Sequence, residues 1–252
     1  MAFLDFQEKW IVVTGASSGI GRGISIELSR NRANLILTGR DHDRLLETAA
    51  SLGPCFHHIL LLDLNDLKSI NEKVMELTKG IGRLYGLCHA AGVVETRPLS
   101  TYKIDGFQSM LDLNLISGIE MARTITHRNV IEQGGGSILF ISSVYSHVGA
   151  PGQVCYSASK GAISAAVRSM ALELARRKIR VNSLSPGFVH TPMTSAAMGL
   201  LSDQQIKDIE DAHPLGTGAP EDVARAAAFL LAPQSAWITG IDLVIDGGYT
   251  AK

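Results

Sequence analysis

Cysteine is scarce in this sequence. Cys55, Cys88 and Cys155 are the only three among 252 residues, and no two of them form a C-x-x-C pair. A small, odd and scattered set argues against a disulfide framework and is typical of a reducing compartment. The eight histidines also lack the H-E-x-x-H spacing of a metal site, and the pair His57-His58 stands where a strand is expected to begin. We therefore expect neither disulfides nor a bound metal.

A charge excess and long apolar runs are also missing. The chain has 23 Lys and Arg against 24 Asp and Glu, for a net charge of -1, so nucleic acid and anionic membranes are not expected as partners. No apolar run approaches the ~18 residues of a membrane span. The first residues, which include Asp5, Glu8 and Lys9, form no hydrophobic signal segment. We expect a cytoplasmic protein.

Short apolar runs that favour strands alternate with helical patterns through the whole chain. The hydrophobic content of 46% is sufficient for one large core. Such alternation predicts an α/β fold with a doubly wound parallel β-sheet flanked by helices. No linker or internal repeat is visible, so we expect a single domain over residues 1–252. The predicted strands are Trp10–Thr14, Asn34–Thr38, His58–Leu62, Leu84–Cys88, Ser137–Ile141, Arg180–Leu184 and Ile241–Ile245.

Three further stretches carry specific expectations. Residues from about Lys103 to Asn129 predict one long helix with Asn114 inside it. Asp66 is expected to cap an earlier helix, whose apolar residues are Leu67, Ile70, Val74 and Leu77. The stretch Phe188–Pro214 shows no sustained period apart from a short amphipathic piece near Asp203–Ile209. We expect it to be a mobile loop that acts as a lid over the substrate.

A glycine-rich turn follows the first predicted strand. Thr14 leads into Gly15-Ala-Ser-Ser-Gly19-Ile-Gly21, and a helical pattern begins there. Glycines let the main chain turn tightly and approach a ligand, while the start of a helix offers free N–H groups to phosphate. The spacing differs from the common G-x-G-x-x-G, but strand, turn and helix together predict a nucleotide-binding loop.

The end of the second strand indicates which dinucleotide binds. Gly39-Arg40 stands where an acidic residue would accept hydrogen bonds from a ribose 2′-hydroxyl. An arginine there suits a 2′-phosphate instead, so NADP(H) is the predicted cofactor, with NAD(H) possible. The alternative is an exposed arginine that merely opens the next loop.

Tyr156 and Lys160 lie four residues apart in a predicted helix, so both side chains share one face. A free tyrosine has a pKa near ~10, and a nearby ammonium group lowers it. Such a tyrosine can exchange a proton with a substrate oxygen. Ser143 follows the fifth strand, thirteen residues upstream, and its hydroxyl can meet the start of this helix. Taken alone, the Tyr-Lys pair could equally be a solvated helix face.

In these motifs the chain resembles the short-chain dehydrogenase/reductase family, and the resemblance extends from Trp10 to Tyr249. It is most similar to the short members that include 3-oxoacyl-carrier-protein reductases and sugar or polyol dehydrogenases. The resemblance implies a Rossmann-type fold and a homotetramer. The matching positions are Thr14, Gly15, Gly19, Gly21, Asp63, Ala91, Gly92, Asn114, Ser143, Tyr156, Lys160, Asn182, Pro186, Gly187 and Thr191.

The resemblance also implies roles for individual residues. Tyr156 would be the general acid/base, Ser143 would hold the substrate oxygen, Lys160 would bind the nicotinamide ribose and lower the Tyr156 pKa, and Asn114 would hold a water in the proton relay. One departure is that the family's Asn-Asn-Ala-Gly reads His89-Ala90-Ala91-Gly92 here. The implied cofactor contacts are Gly15, Ser17, Ser18, Gly19, Ile20, Gly21, Arg40, Asp63, Leu64, Ala91, Gly92, Asn114, Tyr156, Lys160, Pro186, Gly187, Val189 and Thr191.

The sequence therefore predicts an NADPH-preferring oxidoreductase that interconverts a small-molecule carbonyl and a secondary alcohol. One alternative is an NAD-dependent dehydrogenase that oxidises the alcohol. Another is a dinucleotide-binding sensor without catalysis, which would need none of Asn114, Ser143, Tyr156 and Lys160.

Overall fold

The apolar runs form seven parallel strands of one sheet in the structure, a computed structural model that describes residues 4–199 and 201–251. They are β1 (Trp10–Thr14), β2 (Asn34–Gly39), β3 (His57–Leu61), β4 (Gly86–His89), β5 (Gly136–Ile141), β6 (Ile179–Pro186) and β7 (Asp242–Ile245). The order across the sheet is β3-β2-β1-β4-β5-β6-β7. The order reverses between β1 and β4, and ligands bind at such a switch point, at the carboxyl ends of the strands.

Helices cover both faces of the sheet. In the described ranges they are α1 (Gly19–Arg30), α2 (His42–Ala50), α3 (Leu67–Ile81), α4 (Ile104–Leu111), α5 (Ser117–Ile125), α6 (Val154–Leu174), α7 (Pro192–Met198), α8 (Asp203–Asp211) and α9 (Pro220–Leu231). Side chains of β1 divide between the two layers, since neighbours on a strand point to opposite faces. Ile11 and Val13 pack with α1 and α9, and Val12 packs with α3, α5 and α6.

The predicted doubly wound parallel sheet is confirmed, and most strand bounds agree to within two residues. His57 begins β3, as the histidine pair indicated. Asp66 precedes α3 as expected, but its side chain caps no N–H group. Its φ of -88° and ψ of 76° lie outside the extended conformation from which a capping side chain reaches the first turn.

The expected single helix over residues 103–129 and the expected irregular loop over residues 188–214 were wrong in their secondary structure. The predicted helix over residues 103–129 ends at Ile125 and is divided by a π turn at Asp112–Ile116, where the Ser117 N–H bonds to the Asp112 carbonyl. The stretch 188–214 is largely helical rather than irregular, since it contains α7 and α8. α8 coincides with the amphipathic piece expected near Asp203–Ile209, and Ser202 and Gln205 cap its start reciprocally.

Candidate active site

The glycine-rich turn after β1 lies against the turn after β4. Gly15 has a φ of +65°, and a β-carbon there would lie 2.9 Å from the main-chain nitrogen of Ala91. A β-carbon on Gly21 would collide with the carbonyl oxygen of Gly15. Glycine alone permits this packing. No side chain caps the start of α1, so its free N–H groups can bind phosphate.

A cleft of about 340 Å³ runs along this turn at the carboxyl ends of β1, β2 and β4. Its dimensions and its mixed lining of glycines, polar and apolar side chains suit a nucleotide. Twelve of the predicted cofactor contacts line it: Gly15, Ser17, Ser18, Gly19, Ile20, Gly21, Arg40, Asp63, Leu64, Ala91, Gly92 and Thr191.

Two arginines lie at the β2 end of the cleft. Arg40 follows β2 as predicted, and Arg44, in the first turn of α2, lines the same cleft. Both are exposed. Arg44 was not predicted from the sequence, although a second arginine four residues after Arg40, in the first turn of the next helix, would have indicated it. Arg22 is different, because its guanidinium already binds Thr48 and Glu47.

A second cavity of about 120 Å³ adjoins the cleft and shares Ile20, Gly92 and Thr191 with it. Ser143, Tyr156 and Lys160 line this cavity, as do the predicted contacts Pro186, Gly187 and Val189. Val93 and Met193 line both spaces and were not predicted. The residues predicted from β5, β6 and α6 therefore come together beside the glycine-lined cleft.

Lys160 is buried, and its Nζ donates to the carbonyl oxygen of Ile141 at 2.8 Å. Burial lowers the Lys160 pKa to about 8, since removal from water disfavours the charged form. The Nζ atom lies 5.7 Å from the centre of the Tyr156 ring. The end of β5 therefore fixes an ammonium group one helical turn from the tyrosine.

Tyr156 does not have the lowered pKa that the sequence predicted. Burial raises the pKa of Tyr156 to about 12; the Ser143 hydroxyl lowers it in part, and Tyr145 raises it further. Loss of hydration thus outweighs the neighbouring groups in the protein without ligands. The ring of Tyr145 stands edge-on to that of Tyr156, with centres 6.3 Å apart.

Ser143 is held in place by the short turn that follows β5. Its hydroxyl accepts a hydrogen bond from the Tyr145 N–H at 3.2 Å, and its carbonyl accepts one from the Ser146 hydroxyl at 2.7 Å. Behind the turn, Asp242 accepts hydrogen bonds from the Ser185 hydroxyl at 2.9 Å. These contacts orient Ser143 before any substrate binds.

Asn114 lies behind the cavity rather than in its lining. It is fully buried in the π turn between α4 and α5. Its Oδ1 accepts from the Val93 N–H at 2.8 Å, and its Nδ2 donates to the Val93 carbonyl at 2.9 Å and to the Ser159 hydroxyl at 3.1 Å. Asn114 thus binds the main chain of the turn after β4 from one side.

The stretch 188–214, here called the α7–α8 segment, is connected to the site through His213. The ring is buried, its Nδ1 donates to the Ile209 carbonyl at 2.7 Å, and its Nε2 accepts from the Phe188 N–H at 3.2 Å. The ring also stacks on Tyr249 at 4.8 Å. Both ends of the segment therefore meet at one side chain.

Residues 4–199 and 201–251 contain neither a metal-binding cluster nor a helix that could span a membrane. No group of three or more His, Cys, Asp or Glu side chains is placed to hold a metal ion. None of the helices in these ranges has the length and apolar character to cross a membrane.

The fold and the paired cavities define a nucleotide-dependent α/β enzyme. Residues 15–250 match a family model described as enoyl-(acyl carrier protein) reductase. The chain is 36% identical over 247 residues to human 3-oxoacyl-[acyl-carrier-protein] reductase, covering 96% of this chain and 98% of that protein. It is 34% identical to glucose 1-dehydrogenase of Gluconobacter oxydans, covering 97% and 93%.

A solved structure with the same fold is that of a putative short-chain alcohol dehydrogenase from Sinorhizobium meliloti. It is 30% identical, with a TM-score of 0.91 and 98% coverage of both chains. The chain therefore belongs to the short-chain dehydrogenase/reductase family and is an NAD(P)-dependent oxidoreductase that acts on carbonyl or alcohol groups.

Proposed function

We propose that this protein is an NADPH-preferring reductase that converts a ketone or 3-oxoacyl carbonyl to a secondary alcohol, and the reverse. The observation that carries the proposal is the shared wall between the glycine-lined cleft and the cavity of Ser143, Tyr156 and Lys160. A nicotinamide cofactor in the cleft supplies or accepts the hydride. The residues of the smaller cavity then manage the charge on the substrate oxygen.

Each catalytic side chain has one task in this proposal. Tyr156 gives a proton to the oxygen during reduction and removes it during oxidation. Ser143 donates a hydrogen bond to the same oxygen, and this bond strengthens as negative charge develops. Lys160 stabilises the phenolate form of Tyr156. Asn114 retains one free lone pair on Oδ1 after its bond with Val93, so it can hold a water in the proton path.

The residues of the cleft fit a phosphorylated dinucleotide. Free N–H groups at the start of α1 face the pyrophosphate position, and Asp63 and Leu64 line the part of the cleft beside β3. Arg40 and Arg44 offer two guanidinium groups at one end. Because a guanidinium binds phosphate oxygens in a bidentate manner, this pair favours NADPH over NADH.

A second candidate is an NAD-dependent dehydrogenase of a sugar or polyol, in the alcohol-oxidising direction. The similarity to glucose 1-dehydrogenase supports it. The sensor without catalysis has less support, because Ser143 and Tyr156 line one cavity with Lys160 beside the cleft and cofactor binding alone does not require this arrangement.

Cytoplasmic location, the lid role of residues 188–214 and a homotetramer are further parts of the proposal. Free Cys55, Cys88 and Cys155 support a reducing compartment. The lid is supported by the position of α7, whose Pro192 and Met193 line the cofactor cleft.

The deciding experiment follows NADPH absorbance with a panel of ketones, 3-oxoacyl thioesters and aldoses, and NADP⁺ or NAD⁺ with the matching alcohols. We expect carbonyl-dependent oxidation of NADPH, absent in Tyr156→Phe. Cofactor binding without turnover of any compound would favour the sensor, and turnover confined to NAD⁺ with sugars would favour the second candidate.

A further inference from the structure

His89 occupies the last position of β4, directly beside the Thr14 position of β1. The ring is fully enclosed, and its Nδ1 lies 3.0 Å from the Thr14 hydroxyl oxygen. That oxygen also accepts hydrogen bonds from the N–H groups of Ala90 and Ala91, both at 3.1 Å. A hydroxyl has two lone pairs and one hydrogen. Since both lone pairs are used, the Thr14 hydrogen must go to Nδ1.

This hydrogen-bond pattern determines the tautomer of His89. Burial, and then the charge of Lys160, lower the His89 pKa to about 3, so the ring is neutral at working pH. With Nδ1 accepting, the single ring proton lies on Nε2. The main-chain carbonyls of Leu113 and Asn114 lie close enough to the ring to raise its pKa in part, although no described residue completes a regular hydrogen bond with Nε2.

The His89 ring is closely packed on two sides, by Gly118 and by Phe140. A β-carbon on Gly118 in α5 would lie 2.7 Å from His89 Cδ2 and 2.9 Å from Nε2. On the other side the ring meets Phe140, with centres 5.8 Å apart. The imidazole is therefore wedged between β5 and the helix segment that begins just after the π turn.

The main-chain turn over residues 90–93 is consequently bound from two sides. Thr14 binds it at Ala90 and Ala91, and Asn114 binds it at Val93. His89 lies between these two points: its Nδ1 meets Thr14, and the carbonyls of Leu113 and Asn114 in the π turn lie beside its ring.

We propose that His89 is a positioning residue that links the 90–93 turn to the π turn and thereby fixes Asn114 beside Val93 and Lys160. A buried N–H group is stabilised by nearby carbonyl dipoles, so we expect the turn to be held at that side of the ring. The effect on activity rests on the proposed function, whereas the effect on Asn114 does not.

Two substitutions distinguish the contribution of Nδ1 from the contribution of Nε2. In His89→Asn, Oδ1 can still accept from Thr14, but the shorter side chain cannot reach the π turn. In His89→Gln, the amide reaches the position of Nε2. We measure amide hydrogen exchange by NMR in the cofactor-free protein, with Val93 reporting on Asn114 and with Ala90 and Ala91 reporting on Thr14.

We expect Val93 exchange to be about tenfold faster in His89→Asn, the order expected when the hydrogen bond from the Val93 N–H to Asn114 is weakened, and near wild-type in His89→Gln. Ala90 and Ala91 should be unchanged in His89→Asn. Equal Val93 exchange in both variants, or no change in either, would overturn the proposal. If the variants do not fold, ¹⁵N shifts of the wild-type imidazole decide: a proton on Nδ1 contradicts the proposal and one on Nε2 supports it.

Kinetics with NADPH and a ketone substrate give the second test. His89→Asn should lower kcat about tenfold with the KM for NADPH almost unchanged, and His89→Gln should restore most of kcat. A parallel loss of kcat and cofactor affinity in both variants would indicate a merely structural role. Absence of turnover in the wild type would refute the proposed function and leave the exchange test intact.

Discussion

At the scale of single residues, the proton donor is the most direct test of the mechanism. Tyr156→Phe keeps the ring and its packing against Tyr145 but removes the acidic hydrogen. We expect a folded variant that binds NADPH normally and whose kcat falls by at least ~10²-fold, the usual loss for a general acid. Tyr145→Phe is the matched control and should retain most activity. Near-wild-type kcat in Tyr156→Phe would contradict the assignment.

The arginine pair predicts the cofactor preference. Arg40→Asp removes a guanidinium and places a carboxylate where a 2′-phosphate would lie, so NADPH binding should weaken by about 10- to 100-fold, in line with charged hydrogen bonds. NADH should bind as well or better, because a carboxylate accepts from ribose hydroxyls. Arg44→Ala should show a smaller loss. The measurement is fluorescence titration of both cofactors, and equal wild-type affinities would refute the preference.

Lys160 links activity to stability. Its folded pKa of about 8 lies below the ordinary 10.5, so the unfolded chain binds more protons between these values and stability rises with pH through that window. Below pH 8 the folded protein keeps the full free-energy cost of burying the Lys160 ammonium group, roughly 3 kcal/mol for a pKa shift of this size. Lys160→Met should therefore be more stable at pH 7 by about 2 kcal/mol, after loss of one hydrogen bond, yet inactive.

Denaturant unfolding of both proteins at pH 7 and pH 10.5 tests this. The advantage of Lys160→Met should shrink at the higher pH. Comparing the two proteins cancels the titration of groups distant from residue 160. The raised pKa of Tyr156 has the opposite effect on stability, and it lowers the stability of both proteins only above pH 10. A Lys160→Met protein that is less stable at pH 7 would show that the ammonium is better stabilised than its burial indicates.

At the scale of secondary structure, apolar runs and glycines were sufficient to predict the sheet and the cofactor cleft. Strands such as β1 and β5 are buried on both faces, so their sequences are continuously apolar. The π turn around Asn114 was not predictable, because hydrogen bonds from residue i to residue i−5 leave no period in the sequence. The raised pKa of Tyr156 was also missed, since it depends on burial by residues distant in the chain.

The α7–α8 segment gives a prediction at the same scale. No residue of α8 is buried, and the segment contacts the site through His213 and the α7 residues beside the cleft. We expect deuterium uptake in residues 201–212 to be fast without cofactor and slower with NADPH, because α7 gains contacts when the cleft fills. Peptides from α9 serve as the internal reference. Identical uptake with and without NADPH would rule out the lid.

At the scale of the whole molecule, the outer face of α6 lacks a cover among the described residues. Ala158 and Ala165 are exposed, and Leu172 is 82% exposed. The neighbouring α5 adds Ile119, itself partly exposed. Exposed small and apolar residues on two helices are characteristic of a subunit interface. Because oligomers of identical chains are usually symmetric, we expect a second copy to pack here about a two-fold axis.

Ala165→Glu tests this interface. The charge lies in the middle of the exposed face, where it would meet its own copy across the axis and be desolvated. Glutamate is a good helix former, so the single chain should fold normally. We expect light scattering at micromolar concentration to give a tetramer for the wild type and a smaller species for Ala165→Glu. Ala50→Glu, at an exposed position of α2, is the matched control and should keep the wild-type mass. A monomeric wild type, or an unchanged mass for Ala165→Glu, would place the interface elsewhere or remove it.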